Sequence, residues 1–192
     1  METSPSLLER LCGQRDEEAW RRLDDLYRPL VRSWLRRDPS LGAEIDDLVQ
    51  EVMSVLVREL PGFHRQRTGS FRRWLREITV HRLQAYYRER RRRPRSVGPE
   101  VRDSPLAQLS DPRSDLSHLW DEDHDRHVLR RLLQLIEPQF QPNTLTAFRR
   151  VVFDERPPAE VARELGLSVN AVLLAKSRVL AKLRQEAEGF LD

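Results

Sequence analysis

Apolar residues recur with a three-to-four-residue spacing along almost the whole chain, and no run shows the sustained alternation of a strand. That spacing collects them on one stripe of a helix, so the fold class expected is all-α. The first helix is expected from about Glu17 to Arg36, with Trp20, Leu23, Tyr27, Leu30, Val31 and Trp34 on its inner stripe. Asp38-Pro39-Ser40 breaks it. A second is expected from about Glu44 to Leu60, carrying Ile45, Leu48, Val49, Val52, Met53, Leu56 and Leu60 inward, with acidic residues in its first turn where the helix dipole favours them. A third begins at the N-cap Ser70 and turns Phe71, Trp74, Leu75, Ile78, Leu83 and Tyr86 to one side before running into Arg90 to Arg93 and Pro94.

From Pro94 to about Ser114 the composition shifts to Pro, Ser, Asp and Gly, which reads as a mobile linker. Helical spacing resumes over about Leu116 to Ile136, Thr144 to Phe153, Pro158 to Leu165, and Ser168 to Glu188. The expected organisation is two small helical domains, 1–93 and 116–192, joined by a flexible linker at 94–115. A chain of 192 residues has room for this arrangement.

The net charge of +3 from 34 basic and 31 acidic residues hides an alternation of sign. Residues 1–61 sum to −4, residues 62–95 to +10, residues 96–128 to −5 and residues 129–192 to +2. A +10 block within 34 residues is an electrostatic footprint for a polyanion. The acidic segment after it is suited either to occupying a basic channel or to screening that block. No apolar run reaches the roughly 18 residues that span a bilayer, and METSPSLLERLCGQ lacks the pattern of a signal peptide. No membrane insertion is expected, and a cytoplasmic location is. The single Cys12 has no partner for an internal disulfide, and no metal or other cofactor is expected.

The segment PAEVARELGLSVNAVLLAKSRVLAKLR has the mechanics of a helix-turn-helix. Ala162 is small where the second helix crosses the first, Gly166 permits a left-handed turn, and Val172 plugs the angle between the helices. Pro158 suits the first turn of the leading helix and Ser168 caps the following one. In such motifs the second helix enters the major groove. Asn170, Ala171, Leu173, Leu174, Ser177 and Arg178 are expected outward, with Lys176 and Arg184 nearer the flanks. Asn170 suits a bidentate contact to adenine; Arg178 and Lys176 suit phosphate. For Leu173 and Leu174 three readings stand: thymine methyls, a partner protein, or a helix phase wrong by one residue.

DDLVQEV at 46–52 and GSFRRWLREIT at 69–79, together with this carboxy-terminal motif, resemble the sigma-70-type RNA polymerase sigma factors. The resemblance is to the compact extracytoplasmic-function (ECF) group, which keeps only regions two and four. It covers nearly the whole chain, with region two ending at Arg93 and region four starting near Leu116. It implies an alternative sigma factor that binds core polymerase and directs promoter-specific initiation, with no catalytic site of its own. The DDLVQEV helix would dock on the β′ clamp helices through Asp46, Asp47, Gln50 and Glu51, and region four would also meet the β flap.

The loop and third helix would open the −10 element. This requires cations along a single strand and aromatic surfaces for unstacked bases. Arg65, Arg67, Arg72, Arg73, Arg76, Arg82, Arg88 and Arg90 to Arg93 supply the first; Phe63, His64, Tyr86 and Tyr87 supply the second. Phe71 and Trp74 are assigned to the core. His81 and Ala85 stand where many members have Asn and Asp. Ser168, Asn170, Leu173, Lys176, Ser177 and Arg178 would meet the −35 element, though Leu173 and Ala175 replace a common basic pair. The acidic linker, with Asp103, Asp111 and Asp115, would thread toward the RNA exit channel. An anti-sigma protein covering these surfaces is a common partner in the group.

Two other classes compete. A polymerase-independent helix-turn-helix regulator would dimerise and footprint DNA alone. An enzyme would need more than His118, His124 and His127 beside Asp121, Glu122, Asp123 and Asp125, which read as a surface acidic-histidine patch without ligand-spaced partners.

Overall fold

The structure, a computed structural model, describes residue 11 and residues 17–63, 70–92 and 104–187. Among these residues every regular element is helical and no strand occurs, which makes the fold all-α. Helix α1 spans Glu17–Leu35, α2 Ile45–Glu59, α3 Ser70–Arg92, α4 Asp115–Ile136, α5 Pro142–Val152, α6 Pro158–Leu165 and α7 Val169–Ala187. The chain divides into two compact units between Val128 and Leu129, inside α4. The composition placed the start of the second domain at residue 116 instead.

In the first unit, α1 packs on α2 and α2 on α3. Ala19, Leu23, Leu26, Tyr27, Leu30, Val31, Trp34 and Leu35 are the buried residues of α1, while Trp20 is half-buried. Glu17 and Glu18 in its first turn accept from Arg21 and Arg22, and Arg28 grips Asp24 with two bonds of 2.7 Å, each spaced i,i+4. Such exposed pairs add only a few tenths of a kcal/mol each, so the apolar stripe holds this helix. Pro39 opens a short 3₁₀ turn over Pro39–Glu44, with Gly42 at φ 51° marking the break before α2.

The first half of α4 is a fourth helix of this unit. Trp120 is 0% exposed, its ring 5.0 Å from that of Trp34, and its indole N–H donates to the Arg72 carbonyl at 3.3 Å. His127 Nε2 lies 2.6 Å from the Leu26 carbonyl, and His124 stacks on Tyr27 with ring centroids 5.7 Å apart.

Of the stretch expected to be a linker, residues 94–103 lie outside the described residues. From Ser104 on, a strap packs onto α3: Leu106 and Leu109 are buried, and a 3₁₀ turn spans Ala107–Ser110. Asp38 fastens it. This carboxylate is 1% exposed and accepts from Ser40 N at 3.0 Å, Ser40 Oγ at 2.7 Å, Tyr87 Oη at 2.6 Å and Ser104 Oγ.

Burial alone would raise the Asp38 pKa, but the bonds from Ser104, Tyr87 and Ser40 outweigh it and hold the carboxyl below the usual range. A carboxylate depressed in this way stabilises the folded state above its unfolded pKa of about 3.9, and that stability is lost as pH falls through the folded value. Asp125, lowered despite burial by bonding to His124 and by the Arg72 charge, acts with the same sign. Asp38→Asn is therefore expected to lower the urea midpoint at neutral pH and to flatten its decline below about pH 5. An unchanged acid limb in the variant would show that Asp38 does not drive that decline.

The second unit is built on α5, α6 and α7 around Ala147, Val161, Ala162, Val172 and Ala175, with Val151, Leu165 and Leu167 packed against them. Gly166 ends α6 at φ 64°, the left-handed conformation that side chains with a Cβ resist, and Leu167 N donates to the Ala162 carbonyl at 2.9 Å. Ser168 Oγ accepts from Ala171 N at 3.1 Å, closing the first turn of α7. Glu164 pairs with both Arg150 and Arg156, tying α6 to α5 and to the turn between them.

Candidate polymerase and nucleic-acid interfaces

Helix α2 buries Leu48, Val49, Val52, Met53, Val55 and Leu56 and turns its polar residues outward. Asp46, Asp47, Gln50 and Glu51 are all exposed. Asp46 pairs with Arg32 at 2.8 Å and Gln50 accepts from Arg28 at 3.2 Å, so α1 braces this face. Asp47 and Glu51 make no ion pair among the described residues. With Ser40, Glu44, Tyr86, Glu89 and Arg90 they border a cleft of about 560 Å³ between the start of α2 and the end of α3.

Helix α3 distributes its cations unequally. Arg76 is 4% exposed and pairs with Asp121 at 3.2 Å; Arg72 lies 2.8 Å from Asp125 and 3.7 Å from Asp121. Arg37 on the same side meets Asp123 at 2.7 Å. These three arginines neutralise the acidic turns of α4, so the acidic segment screens part of the basic block. Arg72 and Arg76 are held within the fold and are not presented to a nucleic-acid strand.

The solvent side of α3 carries Arg73, His81, Arg88, Arg91 and Arg92, all exposed, with Arg82 and Arg90 half-buried. Arg73 pairs with Glu77 at 2.8 Å. His64, Arg65, Arg67 and Arg93 lie outside the described residues.

The aromatic residues sort by burial. Phe71 is 1% exposed, as the inner stripe requires. Trp74 is only half-buried, and Phe63 stacks on it with centroids 4.7 Å apart and planes at 26°. Tyr86 is half-buried and accepts from Arg90 at 3.0 Å. Tyr87 is 0% exposed and belongs to the Asp38 network, which removes it from the surfaces able to stack a base. Trp74 was assigned to the core from its stripe. The signal for a surface position was its spacing with Glu77, His81 and Gln84 on the outer edge.

On α7, Ser168, Asn170, Leu173, Leu174, Ser177 and Arg178 are exposed, Ala171 and Lys176 are half-buried, and Val172, Ala175, Val179 and Leu183 are buried. The helix phase deduced from spacing is therefore the one observed. The histidines do not assemble: His118 is exposed, while His124 Nδ1 sits 3.0 Å from Asp125. No group of three or more His, Cys, Asp or Glu suited to a metal occurs among the described residues. No helix among the described residues is long and apolar enough to cross a membrane.

These features, an exposed acidic face on α2 followed by a basic helix with an aromatic pair at its start, coincide with a family match. Residues 23–93 match the family described as Sigma-70 region 2. That match supports a sigma factor of the sigma-70 family with a part in transcription initiation. The family is one of initiation factors rather than known enzymes, and it implies core RNA polymerase and promoter DNA as partners. Comparison with curated proteins found no match.

Proposed function

We propose that the protein is an alternative sigma factor of the ECF group, cytoplasmic, which binds core polymerase through α2 and directs promoter-specific initiation. The observation that carries this reading is the region 2 match over residues 23–93, on a helix set whose acidic face at Asp46, Asp47, Gln50 and Glu51 is exposed. In this reading Asp47 and Glu51, free of ion pairs among the described residues, meet cations of the β′ clamp helices.

The −10 strand then lies along the solvent side of α3. Arg73, His81, Arg88 and Arg92 follow its phosphates, and Phe63, Trp74 and Tyr86 offer faces to unstacked bases. Stacking contributes about 1–3 kcal/mol per base, enough to offset the few kcal/mol that unstacking costs. Helices α6 and α7 serve as the helix-turn-helix of region four, with α7 in the major groove of the −35 element.

A gel shift on promoter DNA tests the reading against a polymerase-independent regulator. The expected result is a specific shift only when core polymerase is present. A specific footprint on a palindrome by the protein alone would favour the regulator.

A further inference from the structure

The leading turns of α7 carry an unusual surface for a helix meant to approach a polyanion. Val169, Leu173 and Leu174 are 43%, 47% and 46% exposed, and from Val169 to Ala175 the only polar side chain is Asn170. Lys176, Arg178 and Arg184 follow within the next turns and make no ion pair among the described residues. Resting on the reading of α6–α7 as the duplex-binding element, we infer that Leu173 and Leu174 select an A·T-rich upstream element by packing on thymine methyl groups. Asn170 fixes an adenine beside them.

The chemistry of base edges leads to this assignment. Guanine in the major groove is read chiefly by a bidentate Arg or Lys, and cytosine by a carboxylate; neither group occurs in Val169–Ala175. Adenine presents a donor and an acceptor that an Asn amide matches, and thymine presents a methyl that apolar side chains match. Half-exposed Ala171 and exposed Ser177 are small and let the backbone of α7 approach closely. The cations behind them are placed for phosphates, which orient the helix without reading sequence. Duplex DNA therefore fits both halves of the surface, apolar in front and cationic behind.

The test uses the full chain with core polymerase. Transcript starts locate the upstream element, and the same template is then made with deoxyuridine in place of each thymine of that element. Uracil pairs like thymine and lacks only the methyl. Initiation by the wild type is expected to fall about four-fold for each methyl contacted, from the transfer free energy of one buried methyl-sized group. In the variant Leu173→Ala with Leu174→Ala, both exposed positions, thymine and uracil templates are expected to perform equally.

Equal use of the two templates by the wild type overturns the inference, as does an upstream element that depends on guanine. A variant with weakened initiation that keeps the wild-type thymine preference also overturns it and assigns the leucines to a protein partner. Absence of any promoter-specific start refutes the sigma-factor reading itself, and the inference with it.

Discussion

Replacing Asp47 by Arg and Gln50 by Ala is expected to abolish complex formation with core polymerase while leaving the fold intact. Both side chains are exposed, and the single described contact between them and the rest of the chain is the 3.2 Å bond from Arg28 to Gln50. Surface changes of this kind alter stability by about 0.5 kcal/mol or less, with a slightly larger loss where the helix dipole is opposed. Their effect on binding is of another size. A cation set against a surface complementary to carboxylates costs several kcal/mol, so affinity should fall at least about 100-fold. Glu122→Arg, an exposed charge reversal on α4, serves as the control and should bind as the wild type does. Titration of labelled protein with core polymerase checks both. Near-normal binding by the double variant would remove α2 from the interface.

Trp120→Ala is the second large effect, and it bears on the fold. The side chain is 0% exposed, packed on Trp34 and bonded through its indole N–H to the Arg72 carbonyl. Truncating a buried Trp costs about 3–5 kcal/mol, a large part of a domain's stability of about 5–15 kcal/mol. The thermal transition of the 7–128 unit should drop by about 10–20 °C. Leu119→Ala, next to it and 38% exposed, should move the transition by a degree or two. A Trp120→Ala protein that melts as the wild type does would mean that the first half of α4 is not part of that unit.

Helix positions and phases were legible because a buried stripe repeats every 3.6 residues whatever packs on it. Val172 could thus be turned inward, and Asn170, Leu173 and Leu174 outward, from spacing alone. The left-handed turn at Gly166 was legible for a local reason, since few other residues adopt it.

What spacing does not report is which stripe meets which across a long separation in sequence. The strap from Ser104 has a polar, Pro-containing composition that reads as linker, yet Ser104 is drawn in by Asp38 and Leu106 and Leu109 are buried. The assignment of Arg72 and Arg76 to a nucleic-acid groove missed a signal of the same kind. Arg72 and Arg76 are four residues apart, as are Asp121 and Asp125, so each pair forms a short ladder on one helix face and the two ladders carry opposite charge. The inner stripe counted Tyr86, and both Tyr86 and Tyr87 stood as stacking candidates. Neighbouring positions on a helix point about 100° apart, and Tyr87 points into the core.

The −5 segment, residues 96–128, therefore has a partner within the chain: three of its carboxylates, those of Asp121, Asp123 and Asp125, meet Arg76, Arg37 and Arg72 respectively. Arg73, Arg88 and Arg92, exposed on α3, are the arginines the functional proposal uses.

The central claim is that this chain directs core polymerase to promoters. Purified protein and core polymerase should be mixed with a library of genomic DNA fragments, and the 5′ ends of the transcripts mapped with and without the protein. The account expects new starts at discrete positions that share two upstream elements at a fixed spacing, and that disappear with the Asp47→Arg, Gln50→Ala variant. The same starts at the same frequencies in both reactions would contradict it.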